Sequence, residues 1–164
     1  YAFLNASGLD IDGLHLSGKY SFQYVENATI RNSTLDTKDA FWHSRNVTVY
    51  DSVIRGEYLG WYSENLRFVH CKIIGTQPLC YCHGLELDDC VMIDCDLSFE
   101  RSDVNATVNG NIDSVKNIMS GTVVADGYGK VIDDGLGVDG ASRGVYKRDG
   151  DVLTLMHGSP EKRR

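Results

Sequence analysis

The chain repeats itself about every 19 residues, and this repeat constrains the fold more than any other feature of the sequence. Short segments of alternating apolar residues follow Gly8, Asn27, Asn46, Asn65 and Gly84, which are evenly spaced. A further copy begins at Asp103. Apolar residues at every second position indicate a short strand, and a second strand of the same pattern follows in each copy. A period this short with strand patterning is typical of a solenoid built from strands.

Each copy also carries residues that tolerate positive φ at three fixed positions, which predicts three bends. The clearest of these columns reads Gly13, Asn32, Asp51, His70 and Asp89. Three strands and three bends within each copy describe one coil. We therefore predict an all-β, single-stranded right-handed parallel β-helix over residues 1–135, with coils stacked about 4.8 Å apart. Because residues 1–7 match residues 20–26, the chain begins within a coil, and we expect it to be the C-terminal part of a longer solenoid.

Composition and charge limit the functions that such a solenoid can have. The 164 residues include 16 Lys and Arg against 23 Asp and Glu, a formal net charge of −7. An acidic chain does not attract phosphates or anionic lipids, so we expect no nucleic-acid partner and no membrane partner. Residues 136–164 are rich in Gly, Asp, Lys and Arg, and we expect this tail to be loose or disordered.

The cysteines favour a reducing compartment. All five lie between Cys71 and Cys95, and an odd number within so short a stretch does not indicate a disulfide framework. Cys71 and Cys90 have the same position in successive copies and are predicted to stack as small buried side chains. We expect a cytoplasmic protein, and we interpret the five Asn-x-Ser/Thr sequons as products of the repeat. The spacings of zinc sites and the motifs of nucleotide sites are absent, so we predict no metal and no cofactor.

The third strand of each coil is the richest in aromatic residues, and we predict that it carries the function. It is expected at residues 1–6, 20–25, 39–44, 58–63, 77–82 and 96–101. We assign Ala40, Trp42 and Ser44, with their equivalents, to the inside. The outward rings then form a ligand-binding stripe that stacks on sugars: Tyr20, Phe22, Tyr24, Phe41, His43, Tyr58, Tyr62 and Tyr81. The alternative is that these rings pack beneath a loop or a neighbouring subunit.

Charged residues beside the stripe are candidates for acid–base chemistry. Asp39 and Glu57 are expected one coil apart with Lys38 between them, and two close carboxylates can serve as proton donor and acceptor. The alternative is a solvated ladder of charges. Asp51, His70 and Asp89 stack similarly, but the need for a bend already explains their composition.

Several segments resemble a bacterial family of unassigned function that has the pectin-lyase-like right-handed β-helix. They are Lys38–Trp42, Asn46–Ser52, Gly56–Trp61 and Asp113–Asn117. The resemblance covers residues 1–135 and implies a fold but no established activity. Pectate lyases of the same broad fold use calcium-binding aspartates and an arginine base, and their local motifs are not found in this sequence.

Three functions agree with these observations. The first is binding of an extended, carbohydrate-like ligand on the aromatic face. The second is a polysaccharide lyase or glycoside hydrolase that uses Asp39, Glu57 and Lys38. The third is a structural scaffold, in which a homo-oligomer covers the open end of the solenoid.

Overall fold

The computed structural model describes residues 1–134, 144–149 and 152–156, and within these residues it contains strands and no helix. The strands are β1 (Asp10–Asp12), β2 (His15–Lys19), β3 (Glu26–Arg31), β4 (Thr34–Lys38), β5 (Arg45–Tyr50), β6 (Val53–Arg55), β7 (Glu64–Val69), β8 (Lys72–Ile74), β9 (Leu85–Ile93), β10 (Asp103–Val108), β11 (Asn111–Lys116), β12 (Ser120–Ala125), β13 (Gly127–Ile132), β14 (Gly144–Asp149) and β15 (Val152–Met156).

Equivalent strands of successive coils pair in parallel and in register. The first strands run in the order β1, β3, β5, β7, β9, β10 and β12, and the second strands β2, β4, β6 and β8 end on the second half of β9. Thr29 lies opposite Thr48, and Thr48 lies opposite Arg67, so the offset between paired strands equals the sequence repeat. The predicted parallel β-solenoid is confirmed; its right-handed sense stays a prediction.

The inward columns form one apolar core that runs the length of the solenoid. Ile30, Val49 and Phe68 are fully buried in the first strands, as are Leu35 and Ile54 in the second. These are the positions at which the alternation of the sequence predicted buried side chains. Each coil cannot bury its apolar face alone, so stacking on the next coil is what stabilises it.

The first bend of each coil has the backbone conformation that its residue types indicate. Asn32, Asp51, His70 and Asp89 have φ of 51°, 49°, 51° and 49°. Inside this bend, Ser33 and Ser52 replace missing strand hydrogen bonds: the amide of Ser33 donates to Oγ of Ser52 at 3.0 Å. The bend is therefore specified by residues that accept a left-handed backbone and by small hydroxyl side chains behind them.

The predicted third strand is wrong. Its residues instead form successive turns, which we call the turn segment of each coil. Every second residue of this segment has positive φ, among them Tyr20 (57°), Phe22 (60°) and Tyr24 (58°). Their amides bond alternately to both neighbouring coils: the amide of Phe22 donates to the carbonyl of Ala2 at 2.8 Å, and that of Tyr24 to the carbonyl of Trp42 at 2.9 Å. A left-handed residue with a side chain costs about 1–2 kcal/mol. Hydrogen bonds to two coils and stacked rings offset this cost.

Turns of alternating hand do not place successive side chains on opposite faces, and this corrects two of the predicted ligand-binding residues. Phe22 and Phe41 are both fully buried, and their rings stack at 4.8 Å between centroids. Ala40, next to Phe41, is buried as well. The prediction that Phe22 and Phe41 face solvent was wrong, because it assumed the two-residue alternation of a strand.

The two ends of the described chain differ in how they continue the sheet. β14 lies antiparallel to β12 and β15 antiparallel to β14, within the tail that the sequence led us to expect as loose. The rest of residues 136–164 lies outside the described residues.

The first coil leaves part of its apolar side exposed. Leu9, Ile11 and Leu14 are only half-buried against the core. That a second copy of the chain covers these side chains stays a prediction.

None of the residues described belongs to a helix with the length and apolar character needed to cross a membrane.

Candidate functional site

Four rings of successive coils stack in one file, which we call the aromatic column: Tyr24, His43, Tyr62 and Tyr81. Their centroids are 4.7, 5.1 and 5.1 Å apart, and the planes of neighbouring rings differ by 10° or 11°. Each member stands at the last positive-φ position of its turn segment, with φ between 57° and 62°. The in-register coils thus convert a regular spacing in the sequence into ring-to-ring contact.

The aromatic column presents ring edges to solvent. Tyr24 and Tyr62 are 51% and 45% exposed, and His43 and Tyr81 are half-buried. Because His43 and Tyr62 each have a ring on both sides, their faces are covered, and a ligand meets their edges, the tyrosine hydroxyl and the imidazole nitrogens. This differs from the expectation that the rings would offer their faces to sugars.

Two tryptophans of successive coils pack against the aromatic column. Trp42 and Trp61 stack at 5.1 Å with planes 5° apart, and each approaches a column tyrosine edge to face. Their indole Nε1 atoms donate to the carbonyls of Tyr58 at 2.6 Å and Gln77 at 2.8 Å. Both were expected on the inside; they are half-buried. These hydrogen bonds fix the orientation of the indoles and so the position of the column.

A row of charges, which we call the charge ladder, runs parallel to the aromatic column two residues further along each coil. Glu26, Arg45 and Glu64 begin β3, β5 and β7. The Arg45 guanidinium lies 3.0 Å from the Glu64 carboxylate through Nε and 3.6 Å from that of Glu26 through an Nη atom. All three side chains are more than half exposed, so these pairs contribute little to stability and keep polar groups available to a ligand.

The two rows form the walls of an open groove of about 520 Å³. Tyr24, His43 and Tyr62 of the aromatic column line it, together with Glu26, Arg45 and Glu64 of the charge ladder. In the first coil the equivalent positions are small and polar, Asn5 and Ser7, and these line the same groove together with Ala6. The groove runs across the coils, along the axis of the solenoid.

The charge ladder was not among the features predicted from the sequence. Its residues alternate in sign and recur once per repeat, two positions after Tyr24, His43 and Tyr62. That spacing is enough to predict the charge ladder from the sequence. It was not used because the predicted third strand ended before these residues, which were therefore not considered part of the aromatic face.

Two further predicted ligand-binding residues, Tyr20 and Tyr58, lie outside the residues that line this groove. Tyr20 stacks on Tyr1 with centroids 5.2 Å apart. The ammonium of Lys38 lies over the ring of Tyr58, 5.8 Å from its centroid. The predicted stripe is therefore divided into a buried phenylalanine file, a file at the start of the turn segment and the aromatic column.

The residues predicted for acid–base chemistry, Asp39, Glu57 and Lys38, lie near the start of the turn segments of two successive coils. Asp39 is 7% exposed, and its amide donates to the carbonyl of Glu57 at 2.9 Å. Burial raises the pKa of the Asp39 carboxyl; the charge of Lys38 opposes this rise, and the charge of Glu57 adds to it. Lys38 and Glu57 are exposed. A carboxyl with a raised pKa beside an exposed carboxylate has the properties of a proton donor and acceptor pair.

The raised pKa of Asp39 predicts how its replacement changes stability with pH. The unfolded chain has the ordinary value of 3.8, so the folded state holds this proton more tightly. Its contribution to stability is complete below 3.8 and is lost as the pH rises through the folded pKa. We therefore expect Asp39→Asn to be more stable than the natural chain at neutral pH and to lose this advantage in acid. Asparagine also tolerates the positive φ of 55°.

Urea unfolding at neutral and acidic pH measures this difference. The control is Asp36→Asn, which removes the same charge from an exposed position of β4. An Asp39→Asn chain that is less stable than the natural one at neutral pH would contradict the assignment of a destabilising buried charge.

The two remaining clusters from the sequence have structural explanations. His70 lies between Asp51 and Asp89, with nitrogen to oxygen distances of 3.7 and 3.6 Å, and all three side chains are exposed. Among the residues described, no group of three or more His, Cys, Asp or Glu could hold a metal ion. The five cysteines are buried and free, and burial raises the pKa of Cys71, Cys80, Cys82 and Cys95 to about 12. Such thiols are unreactive.

Comparison with known sequences places the chain in a family. The profile described as "Protein of unknown function (DUF3737)" matches residues 1–143. The chain belongs to this family. The DUF3737 match includes all coils that carry the aromatic column and the charge ladder. No curated protein and no solved structure matches the chain.

Proposed function

We propose that this DUF3737 chain binds an extended carbohydrate along the groove between the aromatic column and the charge ladder. The observation that carries the proposal is the arrangement of this groove: two parallel rows of side chains, each with one member per coil, line an open groove of about 520 Å³. A ligand that repeats along its own length meets an aromatic ring at each coil and a tyrosine with a carboxylate at every second coil. The pectin-lyase-like, bacterial relationship that the sequence suggests agrees with such a ligand and belongs to the same proposal.

The chemistry of the walls suits a chain of hydroxyl groups. Tyrosine hydroxyls donate and accept, carboxylates accept, and a guanidinium donates in a fixed fork. Tyr62 and Glu64 offer these groups within one coil, and Arg45 does so in the coil before. Because the ring faces inside the column are covered by one another, the affinity comes from hydrogen bonds to edges and charges and from apolar contact at the ring edges.

Oligosaccharide binding with and without Tyr62 tests the proposal. We expect binding of at least one hexasaccharide by calorimetry, and Tyr62→Ala to weaken it about three- to tenfold, the effect of one or two hydrogen bonds. The matched control is Tyr50→Ala, since Tyr50 is half-buried on β5 outside the groove and lies beneath Arg31. The proposal fails if a broad panel of neutral, acidic and amino-sugar oligosaccharides gives no binding, or if both substitutions weaken it equally.

The raised pKa of Asp39 favours a second candidate function, cleavage of a glycosidic or uronate linkage. In this function Asp39 donates a proton, Glu57 accepts one, and Lys38 supplies a positive charge. The test is release of unsaturated or reducing ends from polyuronates or oligosaccharides. The assignment requires Asp39→Asn with Glu57→Gln to remove this activity, and full activity in that chain contradicts it.

A further inference from the structure

The groove has an excess of negative charge, and this excess limits which carbohydrates fit it. Its walls carry two carboxylates, of Glu26 and Glu64, and one guanidinium, of Arg45. The whole chain has a formal net charge of −7. A polyuronate would bring further carboxylates to this surface and would be repelled, whereas a neutral or positively charged glycan would not.

The excess charge lies at one end of the charge ladder. Arg45 approaches Glu64 at 3.0 Å and Glu26 at 3.6 Å, so Glu26 has the looser ion pair. One coil earlier the ladder position is Ser7, which brings no second cation to Glu26. Its carboxylate is half exposed and faces the same groove as Ser7 and Asn5.

The aromatic column ends at the same coil. Tyr24 stacks on His43 at 4.7 Å on one side, and the residue at its position one coil earlier is Asn5, which has no ring. Tyr24 is the most exposed member of the column, at 51%. On the side of the first coil its position is followed by Asn5 instead of a ring, and its edge and hydroxyl are exposed to the groove. A tyrosine hydroxyl oxygen accepts a hydrogen bond from an ammonium group.

We propose that Tyr24 and Glu26 form a subsite for the ammonium group of an amino sugar, at the step between the first and second coils. The carboxylate of Glu26 attracts the ammonium, and the hydroxyl oxygen of Tyr24 accepts a hydrogen bond from it. Asn5 and Ser7 offer hydrogen bonds to the neighbouring hydroxyls. This inference rests on the proposed function and specifies its ligand class: a glycan containing free amino sugars.

Comparison of two hexasaccharides with the same backbone tests the subsite. We expect calorimetry in slightly acidic buffer to show that a glucosamine hexamer binds the chain about tenfold more tightly than an N-acetylglucosamine hexamer. Glu26→Gln should reduce this preference to about twofold or less, and Tyr24→Ala should reduce it as well. Both side chains are exposed, so neither substitution disturbs the core.

A control separates a subsite from general attraction between opposite charges. Asp36→Asn removes the same negative charge from an exposed position on β4, and it should keep the full preference. An equal loss in Asp36→Asn and Glu26→Gln would overturn the subsite.

The failure of this inference differs from the failure of the proposed function. If both hexamers bind equally well and Tyr62→Ala weakens both, the ammonium subsite is overturned and carbohydrate binding stands. If the glucosamine hexamer, the N-acetylglucosamine hexamer and all other oligosaccharides fail to bind, carbohydrate binding is overturned and the subsite with it.

Discussion

Phe41→Ala should destabilise the solenoid by about 3–5 kcal/mol, the usual cost of removing a fully buried aromatic side chain. Phe41 is inaccessible to solvent, stacks on Phe22 at 4.8 Å and meets Phe68 edge to face at 6.5 Å. Its removal leaves a cavity between coils, and the paired strands elsewhere in these coils hold the coils in register and keep them from closing it. Urea unfolding followed by circular dichroism measures the loss.

Tyr62→Ala is the matched control, because Tyr62 lies in the turn segment of the next coil and is 45% exposed. Both residues have a positive φ, 63° and 62°, so the two substitutions change the backbone preference in the same way. A loss for Phe41→Ala no larger than that for Tyr62→Ala would contradict the burial of the phenylalanine file.

Gly56→Ala should cost more than about 3 kcal/mol, the upper end of common single substitutions. Gly56 has φ of 149°, and a Cβ there would overlap the carbonyl oxygen of Thr37 in the preceding coil. The amide of Gly56 also donates to the carbonyl of Ile74 at 2.9 Å in the following coil. Because backbone lies on both sides, neither neighbour can move without breaking the register of the strands.

Gly13→Ala serves as its control. Gly13 also has positive φ, 75°, but a Cβ there would have no atom within 4 Å. Only the left-handed backbone opposes this substitution, at about 1–2 kcal/mol. Equal losses at Gly13 and Gly56, measured by urea unfolding, would show that the coils do not approach each other as closely as the structure has them.

The first two strands and the first bend of each coil could be predicted because their residues obey simple rules. Alternating apolar residues such as Val47 and Val49 are buried, and Asn32 and Asp51 occupy the left-handed backbone that their side chains tolerate. In these segments each local preference agrees with the stacking of the coils, so the sequence alone was informative.

The turn segment could not be predicted in the same way. Tyr20, Phe22 and Tyr24 are bulky residues, and bulky residues with positive φ are genuine outliers. The conformation is imposed by contacts between coils, which include amide bonds in both directions and stacked rings. This conformation depends on neighbours one coil away, which local preferences do not include. Local preferences therefore favoured a strand, and the strand pattern wrongly placed Phe22 and Phe41 on the solvent side.

The aromatic column was predicted only in part, for the same reason. Tyr24, His43, Tyr62 and Tyr81 were assigned to the outward stripe together with four other rings, and the structure stacks these four. The covering of their faces and the pairing of Arg45 with two glutamates follow from the distance between coils, which the spacing of residue types does not give.

Cross-linking between two positions of the first sheet tests the stacking of the coils most directly. The side chains of Thr29 and Thr48 begin at directly paired positions on β3 and β5, and the five natural cysteines are buried. Parallel neighbours are about 4.8 Å apart, within the range of Cα separations that disulfides span. We expect mild oxidation to join Thr29→Cys to Thr48→Cys within one chain but not to join Thr29→Cys to Arg67→Cys, two coils away. Failure of the first pair to form a bond, or equal formation of both, would contradict the stacking of the coils.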